Sequence, residues 1–232
     1  MTISNDSRAR VKKAFEPIAL GMGRLGLTPD ALTLIGFAIT VVGAILVAQQ
    51  LWLLGGVVIL LGGIFDMFDG TLARATGRVS NLGAFMDSVF DRAGEVIVYI
   101  GIVAGLQALG IDNGALLAAT ALGAAVMVSY TRAKSEGLGF TSGTGMAAIG
   151  IMPREIRIVI LSAGLILAGF LGTVPDTSAC PTCAGGAAFG TGTSALLFAL
   201  GIITVGATIT VIQRILHVRS QARQQPTQTH QA

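Results

Sequence analysis

Asp66-Met-Phe-Asp69-Gly70-Thr-Leu-Ala73-Arg74 and, eight residues further on, Gly83-Ala-Phe-Met-Asp87-Ser-Val-Phe-Asp91 place four carboxylates inside two stretches otherwise apolar enough to cross a bilayer. An ionised carboxylate at the centre of a membrane helix costs about 2.5–3.5 kcal/mol even on the most lenient insertion scale. Four of them in two adjacent spans therefore mark a functional cluster. Asp66 and Asp69 are three residues apart and Asp87 and Asp91 four apart, spacings that put each pair on one face of its helix. Facing helices would gather four like charges, which repel unless cations neutralise them. Hard divalent cations that prefer oxygen ligands, Mg2+ or Mn2+, suit such a cluster.

Composition agrees with a membrane setting. Only 12% of the 232 residues are charged and 53% are hydrophobic, against about 25% charged in average soluble chains. The net charge of +3 fits contact with a membrane surface and not with nucleic acid, because no basic block interleaves with aromatic residues. The first apolar run follows a basic start (Arg8, Arg10, Lys12, Lys13) without a small-residue cleavage site, so no cleavable signal peptide is expected.

Working outward from the cluster, apolar runs predict an all-α polytopic membrane protein with six transmembrane helices. The spans are expected at about 31–47, 51–74, 82–109, 113–135, 153–171 and 193–216, each close to the ~20 residues that cover a ~30 Å hydrocarbon core. Asp30 is the expected N-cap of the first span. Before it, residues 7–25 carry Val11, Phe15, Ile18 and Met22 on one side of a helical period and Arg8, Lys12, Lys13 and Glu16 towards the other. That pattern predicts an N-terminal interfacial amphipathic helix. The expected organisation is thus residues 1–25 as a cytoplasmic or interfacial segment, 26–217 as the membrane domain, and 218–232 as a polar cytoplasmic tail. Lys and Arg cluster at the N-terminus, around the 75–81 loop, over 132–157 and at the C-terminal end. The connections near Gln49, Asp112 and Asp176 have none. The positive-inside rule then places both termini and the carboxylates in the cytoplasm, with Cys180 and Cys183 outside, where a disulfide is plausible.

The pattern D-x-x-D-G-x-x-A-R, eight residues, G-x-x-x-D-x-x-x-D resembles the signature of the CDP-alcohol phosphatidyltransferases, with every fixed position filled. The resemblance implies transfer of a phosphatidyl group from CDP-diacylglycerol to an alcohol with release of CMP, in phospholipid biosynthesis at the cytoplasmic membrane. It implies Asp66, Asp69 and Asp87 as metal ligands and Asp91 as the general base, also within reach of metal. Mg2+ or Mn2+ is the expected cofactor, as two ions, and a homodimer the expected assembly. Gly70, Ala73, Arg74 and Ser80 are implied as contacts to the CDP-lipid, together with Asp30, Ala31, Leu32 and Thr33 at the start of the first span. Arg74 suits a phosphate oxygen as a bidentate donor.

A second polar set, Ser129, Arg132 and Lys134 followed by Arg154 and Arg157, lies at the cytoplasmic ends of two predicted helices and would form a cationic pocket for a phosphorylated acceptor. Ser129-Tyr-Thr-Arg132-Ala-Lys134-Ser-Glu136 resembles the phosphatidylinositol phosphate synthases of actinobacteria, which implies inositol phosphate as the acceptor. Those enzymes tend to show Arg-Pro-Glu-Arg at the next helix start, whereas this chain reads Met152-Pro153-Arg154-Glu155-Ile156-Arg157. Glycerol 3-phosphate, giving phosphatidylglycerol phosphate, would want a similar pocket. A divalent-cation transporter is the competing class, but it would hold its site near the bilayer midplane between repeats.

Overall fold

The computed structural model describes residues 17–18, 20–140, 149–173 and 190–224. Most of the expected interfacial helix, the 141–148 part of the glycine-rich linker, the loop with Cys180 and Cys183, and the last eight residues lie outside them. Among the described residues, after the helical stretch that ends at Arg24, six long helices follow one another: α1 (Pro29–Ala48), α2 (Trp52–Ala75), α3 (Asn81–Ala108), α4 (Asp112–Gly137), α5 (Arg154–Leu171) and α6 (Thr191–Gln224). No strand occurs among the described residues. Four of the helices, α1, α2, α4 and α6, are long and apolar enough to cross a membrane. The other two carry more charge towards their N-terminal ends: Asp87, Asp91, Arg92 and Glu95 on α3, and Arg154, Glu155 and Arg157 on α5. The fold is therefore that of an all-helical membrane protein with at least these four candidate spans.

The chain divides into two compact units, residues 1–105 and 106–232. In the first, glycines set the helix spacing. A Cβ on Gly36 would lie 3.5 Å from the Asp66 nitrogen and 3.7 Å from the Gly62 oxygen. One on Gly55 would lie 3.0 Å from both the Gly43 oxygen and the Val47 nitrogen. The α1 and α2 backbones thus touch along an antiparallel seam, the close approach that small residues permit between membrane helices. On the other side of α1, Gly94 meets Phe37 and Thr40, and the Phe37 and Phe90 rings are 5.0 Å apart, so α3 runs parallel to α1. At the seam's site end, Leu32, Phe68 and Leu72 are buried together against Met22, Leu27, Ile64 and Phe65.

The N-cap of α1 is Thr28, whose Oγ1 accepts from the Ala31 N–H at 3.2 Å. Asp30 was the expected cap, but Pro29 lacks an N–H and has a preset φ, which suits the first helical position. The cap therefore falls one residue before the proline, and Asp30 sits in the first turn, where its charge favours the helix dipole.

In the second unit, α6 packs against α4 and α5. Alanines 115, 118, 121 and 125 of α4, Leu161, Leu165 and Ala168 of α5, and Leu196, Leu200 and Ile203 of α6 are buried. Arg214 is only 4% exposed. Its Nε donates to the Ile149 oxygen at 3.0 Å and its Nη1 to the Val128 oxygen, tying α6 to α4 and to the segment before α5. The helix continues to Gln224, beyond the expected end at Leu216. Nothing from 217 to 224 breaks a helix, His217 and Gln221 are hydrogen-bonded one turn apart at 2.9 Å, and the next proline is Pro226.

Candidate metal and nucleotide site

The loop from Thr76 to Ser80 turns α2 into α3. Gly77 stops α2 in the left-handed region, at φ 66°, where a Cβ costs about 1–2 kcal/mol, and the Arg78 N–H bonds back to the Ala73 oxygen at 2.9 Å. Ser80 then starts α3, its Oγ accepting from the Gly83 N–H at 2.9 Å. Asp69 lies six residues before the end of α2 and Asp87 six residues after the start of α3, so both are about 9 Å from the loop along their helices.

The oxygens of Asp66, Asp69 and Asp87 come within 4.8 Å of one another. Asp66 and Asp87 are half-buried and Asp69 is 5% exposed. At that separation two carboxylates repel by about 3 kcal/mol per pair with an effective dielectric of about 20. Oxygens bound to one cation at about 2.1–2.4 Å lie at or inside this spacing, so the three side chains fit a hard divalent ion with little movement. Asp69 is held on both oxygens. Thr33 Oγ1 of α1 donates to Oδ2 at 2.5 Å in a buried contact, and the Gly70 N–H donates to Oδ1.

Beside the carboxylates is a cleft of about 260 Å3, lined by Asp30, Thr33, Asp69, Gly70, Ala73, Arg74, Ser80 and Asp87 among others. A Cβ on Gly70 would lie 3.3 Å from Arg74 Nη1, so the guanidinium folds back over that glycine. A Cβ on Gly83 would lie 3.1 Å from Ser80 Oγ and 3.5 Å from Asp30 Oδ1. The first turns of α1 and α3 thus meet where the second motif glycine leaves room. Arg78 and Val79 also line the cleft. Sequence reasoning treated Arg78 only as a positive-inside residue; its place directly after the turn glycine was the available signal.

Not every sequence-assigned residue is at the cleft. Leu32 is fully buried in the apolar cluster with Phe68 and Leu72, and Ala31 is outside the lining, its N–H turned to the Thr28 cap. Asp91 is not one of the three convergent carboxylates. It lies one turn further along α3, with Oδ2 3.2 Å from Arg92 Nη1 and its side chain 13% exposed.

The residues assigned to the acceptor are in the second unit and differ in availability. Arg132 is exposed and paired with Glu136 at 2.9 Å. Lys134 is exposed, lining a cavity of about 190 Å3 with Tyr130, Ser135 and Arg214. Ser129 and Arg154 are half-buried. Arg157 is 1% exposed and donates from Nη1 to the Met152 oxygen at 3.1 Å, which makes it a strut of the α5 start. Arg214, absent from the sequence-based set, is the buried cation of this cavity.

These features have counterparts. The family model described as CDP-alcohol phosphatidyltransferase matches residues 26–220, and the chain belongs to that family. It is accordingly a transferase. It is 38% identical over 154 residues to an archaetidylinositol phosphate synthase of Pyrococcus horikoshii, covering 66% of this chain and 77% of that one. It is 34% identical over 221 residues to a phosphatidylinositol phosphate synthase of Streptomyces avermitilis, covering 93% and 82%. In structure it resembles the phosphatidylinositol phosphate synthase of Mycobacterium tuberculosis at TM-score 0.71 and 28% identity, both with CDP-DAG bound and in complex with manganese and citrate. Each match covers 89% of this chain, and 94% and 89% respectively of the two solved chains.

Proposed function

We propose that the protein transfers the phosphatidyl group of CDP-diacylglycerol to inositol phosphate, releasing CMP, at the cytoplasmic face of the cell membrane. The observation that carries this reading is the convergence of Asp66, Asp69 and Asp87 beside a cleft furnished with Arg74, Arg78 and Ser80. Arg74 and Arg78 hold the pyrophosphate oxygens, with bidentate geometry available to each guanidinium. Asp30, Ser80 and the small residues Gly70, Ala73 and Gly83 let the nucleotide approach the helix ends. The three carboxylates hold a divalent ion, Mg2+ or Mn2+, which when bound neutralises the pyrophosphate and eases departure of CMP. Two ions would engage Asp91 as well.

In the transfer, the acceptor hydroxyl oxygen forms a bond to the phosphorus that carries diacylglycerol. The bond from that phosphorus to the CMP phosphate oxygen breaks, and CMP leaves with the electron pair. Asp91 takes the hydroxyl proton, a task for which position matters more than basicity. Ser129, Arg132, Lys134 and Arg154 receive the acceptor phosphate, with Arg214 behind them and Arg157 bracing the helix start. Inositol phosphate is favoured over glycerol 3-phosphate because the relatives from P. horikoshii and S. avermitilis are named archaetidylinositol phosphate synthase and phosphatidylinositol phosphate synthase. In this reading all six helices span the bilayer, the charged starts of α3 and α5 facing the cytoplasm, 26–217 form the catalytic domain, and two chains form a homodimer. A cation transporter is disfavoured, since Asp69 and Asp87 sit about 9 Å from the loop ends of their helices, nearer that face than the midplane site a transporter would use.

The test is CMP release by the purified protein from CDP-diacylglycerol with Mg2+ or Mn2+, offering inositol phosphate, free inositol and glycerol 3-phosphate in turn. Release with inositol phosphate, lost on chelation and restored by the metal, is the expected result. Release only with glycerol 3-phosphate would overturn the acceptor assignment, and no release with any acceptor would overturn the reaction.

A further inference from the structure

The buried contact between Thr33 and Asp69 assigns a further role within the proposed site. We infer that Thr33 is a positioning residue for the metal: its hydroxyl fixes the Asp69 carboxylate in the orientation that binds the cation. The inference rests on the reading of Asp66, Asp69 and Asp87 as metal ligands. It differs from the nucleotide contact that sequence resemblance suggests for Thr33.

Five observations carry it. Thr33 Oγ1 lies 2.5 Å from Asp69 Oδ2 and 3.2 Å from the Pro29 oxygen. A hydroxyl has one proton to donate, and the shorter contact, to a carboxylate, claims it. Thr33 is only 6% exposed and Asp69 5%, so water is poorly placed to substitute for the missing donor. The Gly70 N–H occupies the other oxygen of Asp69. With one donor on each oxygen the carboxylate plane is fixed, and its remaining lone pairs are left for the cluster. Asp66 and Asp87 are less buried than Asp69, which makes Asp69 the member whose orientation most depends on the protein. The brace also spans two helices: the hydroxyl comes from α1, and the Gly36–Gly62 approach on the same seam holds α1 against α2. Partners that orient a metal ligand in this way typically change metal affinity or activity 10–100-fold when removed.

The experiment measures Mn2+ affinity by electron paramagnetic resonance in the full-length protein in detergent, without nucleotide or lipid. The variants are Thr33→Val, which keeps the branched shape and removes the donor, Thr33→Ser, which keeps the donor, and Asp69→Asn as the reference. Thermal melts identify any variant that is not folded, and Thr33→Ser keeps the comparison informative if Thr33→Val is lost. The expected result is Mn2+ binding weakened about 10–100-fold in Thr33→Val, near wild type in Thr33→Ser and severely reduced in Asp69→Asn. CMP affinity measured at saturating Mn2+ should change little in Thr33→Val. Wild-type Mn2+ affinity in Thr33→Val, or a loss confined to CMP binding, would overturn the inference while leaving the metal site standing. A Thr33→Ser variant as weak as Asp69→Asn would overturn it too. Wild-type Mn2+ affinity in Asp69→Asn would overturn the metal reading itself.

Discussion

Two glycine-to-alanine substitutions on the same helix seam should move stability in opposite directions. At Gly36 the new methyl would meet the Asp66 nitrogen at 3.5 Å and the Gly62 oxygen and Phe65 Cβ at 3.7 Å, which is ordinary contact. Replacing glycine by alanine inside a helix gains about 0.8–1.0 kcal/mol, so Gly36→Ala is expected to be neutral or stabilising by up to about 1 kcal/mol. At Gly55 the methyl would lie 3.0 Å from the Gly43 oxygen and from the Val47 nitrogen, and 2.5 Å from Val47 Cγ2. The side chain can turn away, but the two backbone atoms cannot, and the helices must part by several tenths of an ångström. Overpacking of this kind costs about 1–3 kcal/mol, which outweighs the propensity gain at its upper range and leaves a net loss of about 1–2 kcal/mol. For a chain of this size that loss is about 2–8 °C in melting temperature. Far-UV circular dichroism melts in detergent read both variants. Trp52, the single tryptophan, is 2% exposed and three residues from Gly55, so its fluorescence gives a local second readout. If both variants shift the melt in the same direction, backbone contact is not what sets the α1–α2 distance.

Two other substitutions separate roles within the sites. Asp91→Asn should lower CMP release about 10²–10⁴-fold, the usual contribution of a general base, while one Mn2+ ion still binds at Asp66, Asp69 and Asp87, from which Asp91 stands apart; loss of that ion in parallel with the rate would make Asp91 one of its ligands. Arg214→Met should destabilise the fold by about 1–3 kcal/mol for each buried carbonyl, those of Val128 and Ile149, that loses its donor, and an unchanged denaturation midpoint would show that the arginine is not needed to hold α6.

Most of the first unit was legible because its information is local. The three- and four-residue spacings of the carboxylates, together with the cost of charge in apolar helices, point to one cluster of Asp66, Asp69, Asp87 and Asp91, of which the first three converge. Helix positions were legible within a few residues for the same reason. What sequence could not supply was rotation about each helix axis. Asp91 is one turn from Asp87, yet that step takes it out of the convergent group. Leu32 lies between motif residues but faces Phe68 and Leu72. Arg157 reads as part of a cationic pocket for the acceptor phosphate, and only packing reveals it buried against the Met152 carbonyl. Arg214 was passed over because a basic residue near the end of a span looks like topology signal. The overrun of α6 has a different cause: apolar periodicity ends near Leu216, while helix-compatible residues continue.

The short Thr76–Ser80 turn has a consequence for biogenesis. All side chains of the cation-and-nucleotide chamber are drawn from between Pro29 and Asp87, with the ligands contributed by consecutive helices. A growing polypeptide acquires structure from its amino-terminal side onward. This half of the machinery is therefore encoded ahead of α4, and every component of the chamber has been polymerised before translation of that helix begins.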